Sequence, residues 1–259
     1  MVRRRASPTV GICIAALAIT VFCVPAQVAR ADFVAYNDVA WISPAPVDNA
    51  TRYNIGTNSP GPTSGLLKDW STGGNTLVTA TFSQSGGVIW QNDPTTGGSD
   101  CNVGTDAYNY FNPTTSVSLA GLVYYGSTGW WVEIAFSGLD PTKTYEFVTS
   151  TNRNGGYTNR LTKYTISDVL ASTNSSSAGA TTGDGGASTT FNTGHNTVTG
   201  YVARWTDISC GPDRDFVVRA EAGSTVNQAY TFSAFKLVET PEPATLTLLA
   251  LVALALRRR

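Results

Sequence analysis

The chain contains a single histidine, His195, and this scarcity limits the catalysis it can support. A Ser-His-Asp or Cys-His system would have to be built on that one residue, which stands in a loop-like segment at 192–196. No G-x-S-x-G sequence lies on a strand–turn–helix pattern, so a nucleophile elbow is not indicated. These gaps disfavour an enzyme and favour a binding or structural protein.

Cysteine is also scarce, with four in the whole chain. Cys13 and Cys23 belong to an N-terminal apolar segment, which leaves Cys101 and Cys210 for the rest. An even pair in an oxidising compartment predicts one disulfide, and two separate thiols are the alternative. Two cysteines and the distant His195 lack the ligand spacing of a zinc site.

Basic residues are few outside the two ends of the chain. Residues 32–238 carry ten Lys or Arg and sixteen Asp or Glu, a net charge of −6. Such a surface disfavours binding to nucleic acid or anionic lipid and is compatible with neutral sugars or divalent cations. Asp213 and Asp215 could contribute to a structural calcium site, and an ordinary charged turn is the alternative.

Alternation of apolar and polar residues recurs along the body of the chain, without a convincing helical period. In residues 130–136 every second side chain, beginning with Trp130, is apolar. A Gly-Leu-Asp-Pro turn follows at 138–141, and a second alternating run occupies 145–149. Two such runs with a short connection predict an antiparallel pair.

Further runs of this kind predict a single all-β domain. They lie at 76–82, 121–125, 160–167, 197–205, 215–221 and 230–238. Their spacing, with Gly, Asn, Asp and Pro between them, favours an antiparallel β-sandwich or barrel. Residues 43–75 and 171–190 are predicted as loops, and the second, rich in Ser, Thr, Ala and Gly, is expected to be a mobile surface excursion.

The N-terminal segment has the three parts of a secretory signal peptide. Arginines at 3–5 precede an apolar run of fifteen residues at 10–24, and Ala29-Arg30-Ala31 offers a cleavage site. A lone N-terminal membrane anchor is the alternative, but the run is short for a span of about 20 residues.

The C-terminal segment is also tripartite. The last nineteen residues consist of Pro241-Glu242-Pro243, an apolar stretch at 244–256, and Arg257-Arg258-Arg259. At about 1.5 Å per residue the stretch is roughly 20 Å long, short against a hydrocarbon core of about 30 Å. This favours a transient, processed tail whose arginines stay on the cytoplasmic side; an uncleaved anchor is the alternative.

This tail closely resembles the PEP-CTERM sorting signal of bacteria that make extracellular polysaccharide. The resemblance implies recognition by an exosortase, a membrane-embedded processing enzyme, and an inner-membrane intermediate that proceeds to the cell surface or extracellular matrix. The expected organisation is a signal peptide at 1–31, a β-sandwich at 32–238 and a hydrophobic sorting helix or anchor at 239–259.

A second resemblance concerns residues 138–145, Gly-Leu-Asp-Pro-Thr-Lys-Thr-Tyr. They are similar to the G-L-D-P-x-x-x-Y pattern that leads into a strand in galactose-binding-like jelly rolls of bacterial surface proteins. Residues 151–153 resemble the polar loop that follows, 160–164 the next strand and 230–237 the closing strand. The resemblance implies a jelly-roll sandwich, in a family that includes carbohydrate-binding modules and purely packing or adhesive domains.

Residues 152–160 concentrate amides, guanidiniums and a tyrosine on one predicted turn. The candidate sugar contacts are Asn152, Arg153, Asn154, Tyr157 and Arg160. Arginine and amide groups bind vicinal hydroxyls, and Tyr157 could stack on a pyranose face; a polar hairpin with nothing bound is the alternative. Trp131 is the next candidate platform if it is exposed.

Glu133 and Glu146 lie on two predicted adjacent strands and are candidates for a glycosidase pair; solvent-facing strand positions are the alternative and explain both. The sequence therefore predicts an exported, non-catalytic protein of the surface or biofilm matrix, with extracellular polysaccharide as its candidate ligand. The alternatives are an extracellular glycan-acting hydrolase and a purely structural matrix or coat component.

Overall fold

The computed structural model describes residues 33–38, 48–53, 62–85, 98–112, 115, 117–121, 124–125, 128–226 and 228–240. The predicted signal peptide and the sorting motif from Pro241 onward lie outside the described residues. Among the residues that are described, no helix is long and apolar enough to cross a membrane.

Almost all of the regular secondary structure in the described chain is β-strand. The strands are β1 Phe33–Asp38, β2 Ser64–Lys68, β3 Asn75–Gln84, β4 Tyr124–Tyr125, β5 Trp131–Ser137, β6 Thr144–Ser150, β7 Leu161–Ser167, β8 Val169–Asn174, β9 Thr181–Gly183, β10 Ser188–Asn192, β11 Ala203–Cys210, β12 Asp215–Ala222, β13 Ala229–Tyr230 and β14 Ala234–Thr240. The helix α1, Asp106–Phe111, is capped by the Thr105 side chain, which accepts from the backbone N–H of Tyr108.

The strands form two antiparallel sheets. One has five strands in the order β1-β14-β6-β11-β8, and the other has seven in the order β2-β3-β5-β12-β7-β10-β9. The short strands β4 and β13 pair separately as a ribbon. The prediction of an all-β, antiparallel sandwich is therefore confirmed at this level.

An aromatic core lies between the two sheets. Phe136 of β5 and Phe216 of β12 come from one sheet, and Phe147 of β6 and Phe235 of β14 come from the other. The Phe136 ring centroid lies 5.6 Å from that of Phe147 and 5.4 Å from that of Phe235, both edge-on. All four rings are buried, so this contact across the sheets anchors the sandwich.

A smaller cluster covers the outer face of the five-stranded sheet. Phe147 belongs to the core between the sheets, whereas Val148, the next residue along β6, packs in the outer cluster. Ala107 and Phe111 of α1 pack there with Tyr36 of β1. The outer face of β6 is thus partly closed by the helix, which the sequence did not predict.

The predicted antiparallel pairing of 130–136 with 145–149 is wrong. β5 pairs with β3 and β12, whereas β6 pairs with β11 and β14, so the turn between them crosses from one sheet to the other. Gly138 makes the crossing possible, because it has φ +80° and a Cβ there would lie 2.6 Å from the Leu77 carbonyl oxygen. Alternation locates strands but does not identify their partners.

The predicted loop at 171–190 is also wrong. It contains β9, most of β8 and the start of β10, and the Ser188 and Thr189 side chains are buried. Asn174 holds the segment together, because its Nδ2 donates to the Gly186 carbonyl at 2.8 Å and to Thr189 Oγ1 at 2.9 Å. Small polar side chains are paired here by hydrogen bonds, which hydrophobic pattern does not reveal.

Other strand boundaries differ from the prediction in a similar way. The strand predicted at 197–205 begins only at Ala203, and the loop predicted at 43–75 contains β2. The strand predicted at 230–238 is divided, with β14 starting at Ala234. Apolar–polar alternation does not mark where the pairing of a strand begins or ends, which accounts for these differences.

The predicted Cys101–Cys210 disulfide is absent, because both cysteines are free, buried thiols. Cys101 lies beside the C-terminal end of β6, where Ser99 N–H donates to the Asn152 carbonyl at 3.2 Å. Cys210 lies near the other end of the same strand, just beyond Ile208, which pairs with Tyr145. A strand of this length spans about 20 Å at roughly 3.3 Å per residue, whereas a disulfide needs a Cα separation below about 7 Å.

Candidate functional site

Two loops meet at the end of the sandwich where β6 finishes. The loop after β6 contains Arg153, whose backbone N–H donates to the Thr193 carbonyl at 2.9 Å. Two residues later, Gly155 N–H donates to the Gly194 carbonyl at 3.1 Å. These bonds bring the predicted sugar-binding turn against the loop that carries His195.

Asn152 is a structural residue in this arrangement. Its side chain is fully buried, and its Nδ2 donates to the Ser99 carbonyl at 3.0 Å and to Thr197 Oγ1 at 2.9 Å. Its Oδ1 accepts from the backbone N–H groups of Asn154 and Asn196, each at 3.0 Å. Asn152 is therefore not available as a sugar contact. Its hydrogen bonds instead hold the two loops together.

Asn154 remains at the surface but is held in place. It is exposed, adopts a left-handed backbone conformation with φ +53°, and accepts a hydrogen bond at Oδ1 from Thr197 Oγ1 at 2.9 Å. Asparagine tolerates this conformation better than most residues. Its amide NH2 group is a hydrogen-bond donor.

Arg160 connects two tyrosines. Its guanidinium carbon lies 3.5 Å from the centroid of the Tyr157 ring and 5.5 Å from that of Tyr230. Its Nη1 donates a hydrogen bond to the Tyr230 hydroxyl. Arg153 also hydrogen-bonds to that hydroxyl, so two guanidiniums meet at one phenol oxygen.

We call Arg153, Tyr157, Arg160 and Tyr230 the arginine–tyrosine cluster. Burial raises the pKa of the Tyr230 phenol, and the two neighbouring guanidiniums act against that rise. The sequence predicted the first three members from one turn. It did not predict Tyr230, which lies 70 residues from Arg160 and joins the cluster only through the sheet packing.

Tyr157 is engaged by its neighbours although 39% of it is exposed. Arg160 occupies one region of its ring face, and a Cβ at Gly155 would lie 2.5 Å from its Cδ2. Its carbonyl accepts from Asn192 Nδ2 at 2.9 Å. The ring face against Arg160 is closed to a sugar, so the predicted stacking on Tyr157 can use only the remaining surface of the ring.

His195 borders the cluster and is exposed, as the sequence predicted. Its Nδ1 lies 2.7 Å from the Gly155 carbonyl oxygen. Because a carbonyl only accepts hydrogen bonds, Nδ1 carries the proton in this contact. The ring is oriented toward the backbone of the turn at 152–160.

The two glutamates of the candidate glycosidase pair lie on opposite outer faces of the sandwich. Glu133 on β5 is paired with Arg219 at 3.2 Å, and Glu146 on β6 is paired with Arg204 at 3.1 Å. The sheets themselves pack about 10 Å apart, which already exceeds the roughly 5–9.5 Å between glycosidase carboxyl groups. This pair cannot flank one glycosidic bond.

Two other predicted features are Trp131 as a platform for sugar and Asp213 and Asp215 as calcium ligands. Trp131 is half-buried, and the Arg219 guanidinium carbon lies 4.9 Å from the centroid of its ring. Among the described residues, no group of three or more His, Cys, Asp or Glu side chains is placed to hold a metal ion. Asp213 and Asp215 therefore belong to no such group among the described residues.

A polar cavity of about 330 Å³ lies at the opposite end of the sandwich. Asp140, Arg214 and Glu239 line it, together with Asp69. Each of these groups has an internal partner; for example, Asp140 Oδ1 accepts from Thr142 N–H at 2.9 Å, which lowers the pKa of that carboxyl. The cavity is lined mainly by groups that stabilise their own turns.

Comparisons of the chain with protein-family models, with curated proteins and with solved structures find no match.

Proposed function

We propose that this is an exported, non-catalytic protein of the cell surface or extracellular matrix. Its C-terminal tail is processed by an exosortase-type enzyme, and its sandwich domain binds extracellular polysaccharide through the arginine–tyrosine cluster. The observation that carries the binding proposal is the convergence of Arg153, Tyr157 and Arg160 at one exposed end of the domain.

The directions of the first and last strands support this proposal. Phe33, at the start of β1, pairs with Glu239, near the end of β14. Both connections to the predicted targeting segments therefore leave from the same end of the sandwich. β14 begins close to Tyr230 and runs toward Thr240, about 20 Å away at roughly 3.3 Å per residue. A domain attached at one end would thus present the cluster at its other end.

We also propose that the sandwich is a jelly roll. Support comes from the order of its central strands, which is β1-β14-β6-β11 in one sheet and β5-β12-β7-β10 in the other. Along the chain these eight strands alternate between the sheets except at β7 and β10. Two interleaved Greek keys would give this alternation, and β2, β3, β8 and β9 extend the edges of the two sheets.

The test is a glycan array probed with the exported protein, comparing the wild type with Tyr157→Ala and Trp131→Ala. Wild-type binding that Tyr157→Ala weakens and Trp131→Ala leaves unchanged supports the proposed site. Binding that depends only on Trp131 would move the site to the outer face of the seven-stranded sheet. If the wild type binds no glycan, the protein is a structural matrix or coat component.

A further inference from the structure

We infer that the arginine–tyrosine cluster binds an anionic unit of a polysaccharide, a uronate carboxylate or a sulfate ester, and that Arg153 and Arg160 determine this preference. The inference rests on the proposed function, since it names the ligand class of the same site. It also changes the expected mode of recognition, from stacking on an aromatic ring to pairing of guanidiniums with an oxyanion.

The first reason is the concentration of positive charge. Arg153 and Arg160 both hydrogen-bond to the Tyr230 hydroxyl, so two like charges are held close together. The two charged groups that act on the Tyr230 phenol are both guanidiniums. A bound oxyanion would offset the repulsion between them.

The second reason is that Arg160 is held in position before any ligand arrives. Its guanidinium lies over the Tyr157 ring at 3.5 Å and donates to Tyr230. A planar guanidinium stacked in this way keeps its N–H groups in a fixed fork, which matches the two oxygens of a carboxylate or sulfate. Because the side chain is already ordered, binding costs little further conformational entropy.

The third reason is the balance of donors and acceptors. The guanidiniums and the Asn154 amide NH2 are donors, while Asn154 Oδ1 is already bonded to Thr197. The carbonyl of Gly155 faces His195 Nδ1. A neutral sugar hydroxyl needs both donors and acceptors from its site, whereas an oxyanion only accepts. The two guanidiniums and the Asn154 NH2 group therefore offer donors that suit an oxyanion.

The overall charge of the domain makes the inference specific to this surface. Residues 32–238 carry a net charge of −6, so a polyanion is repelled by most of the molecule. Binding must then depend on a local contact, and it should weaken as salt screens that contact. A domain that bound polyanions through diffuse charge would need a net positive surface.

The experiment measures binding of the exported protein to polygalacturonate and to the same polymer with its carboxyl groups methyl-esterified. Dextran sulfate and dextran form the second pair, which tests the sulfate source. The variants are Arg153→Gln and Arg160→Gln, with Arg219→Gln as the charge-matched control on the outer face of the seven-stranded sheet. Thermal unfolding of each variant checks that it is folded. If Arg160→Gln does not fold, Arg160→Lys replaces it in the comparison.

We expect the wild type to bind at least one acidic polymer about tenfold or more tightly than its neutral counterpart. Arg153→Gln and Arg160→Gln should each remove about tenfold or more of that affinity, while Arg219→Gln should remove almost none. Equal binding to charged and neutral forms, still dependent on Tyr157, would overturn the inference and leave the proposed function standing. If the wild type binds none of these polymers and no glycan on the array, the proposed binding function itself fails.

Discussion

The guanidinium carbon of Arg160 lies over the Tyr157 ring, 3.5 Å from its centroid. The tyrosine that the sequence suggested as a platform for sugar is thus a support for a cation. Since Arg160 also donates to Tyr230, its orientation is set from two sides. This relationship moves the expected ligand contact from the ring face to the edge of the guanidinium.

A double-mutant cycle tests this dependence of Arg160 on Tyr157. We expect Tyr157→Ala to weaken binding of the acidic polymer by about 1.5–3 kcal/mol, the scale of a hydrogen bond to a charged group, because Arg160 loses the ring that holds it. Tyr157→Phe should bind like the wild type, because it keeps the ring. If Tyr157 acts through Arg160, the double variant with Arg160→Gln should lose little more than Arg160→Gln alone. Additive losses in isothermal titration would show that Tyr157 contacts the ligand independently.

The two cysteines should titrate as free thiols. Burial raises the pKa of Cys101 to about 12, so almost no thiolate exists at neutral pH, and Cys210 is also buried. In the folded, exported protein we expect very slow reaction with a thiol reagent. After denaturation without reductant, two thiols per chain should react. A protein without titratable thiols would show that the pair is bonded after all.

Replacing Gly138 by alanine, the smallest side-chain addition, should destabilise the fold. An L residue at φ +80° costs roughly 1–2 kcal/mol, and the new Cβ would meet the Leu77 carbonyl at 2.6 Å. We therefore expect Gly138→Ala to lower the free energy of unfolding by about 2 kcal/mol or more. The matched control is Gly156→Ala, where a Cβ meets nothing within 4 Å, and its effect should stay within about 0.5 kcal/mol. Denaturant titration measures the unfolding midpoint of both variants. Equal midpoints would contradict the claim that the chain needs glycine at position 138 to cross between the sheets.

The domain should lose stability in alkali. Burial raises the pKa of six described tyrosines: Tyr36, Tyr53, Tyr110, Tyr145, Tyr164 and Tyr230. The folded state therefore holds these protons more tightly than the unfolded state, whose phenols titrate near 10.0. The stabilisation is complete below that pH and falls as pH rises above it.

The measurement is the free energy of unfolding at about pH 8 and about pH 11, for the wild type and for Tyr164→Phe. The fully buried Tyr164 should contribute up to about 1.4 kcal/mol per pH unit to the decline, so the variant should decline less steeply. Its hydroxyl makes only long contacts of 3.4 Å, so its removal should be tolerated at neutral pH. Identical slopes for the two proteins would show that Tyr164 titrates normally.

The strands with regular alternation were predictable from the sequence, and their partners were not. Residues 130–136 and 215–221 match β5 and β12 closely, because every second side chain enters the core. The crossover after β5 depends on the approach of Gly138 to Leu77, a contact between segments 61 residues apart. No local pattern encodes that contact, so the predicted hairpin was wrong.

The candidate site was predictable in composition and not in arrangement. The sequence places Arg153, Tyr157 and Arg160 on one turn, and the structure brings them together. The burial of Asn152 follows from bonds to Ser99 and Thr197, which lie 53 and 45 residues away. Tyr230 joins through its position just ahead of β14. Its polar hydroxyl on a predicted strand was the only signal, and it was too weak to interpret.

The central claim is that the domain is exported and sorted through its tail, and one variant tests it most directly. Pro241, Glu242 and Pro243 are all replaced by alanine in the native host, which leaves the apolar stretch and the terminal arginines intact. The two prolines disfavour helix and expose the glutamate between them, so their loss should remove recognition by the processing enzyme.

The measurement is the mass and the cell fraction of the wild type and of this triple variant. We predict that the wild type is processed and reaches the surface or matrix. The variant should be exported but remain in the inner membrane as an unprocessed, heavier form. A variant that reaches the normal location with the normal mass would show that the motif is only a linker, and the sorting account would be contradicted.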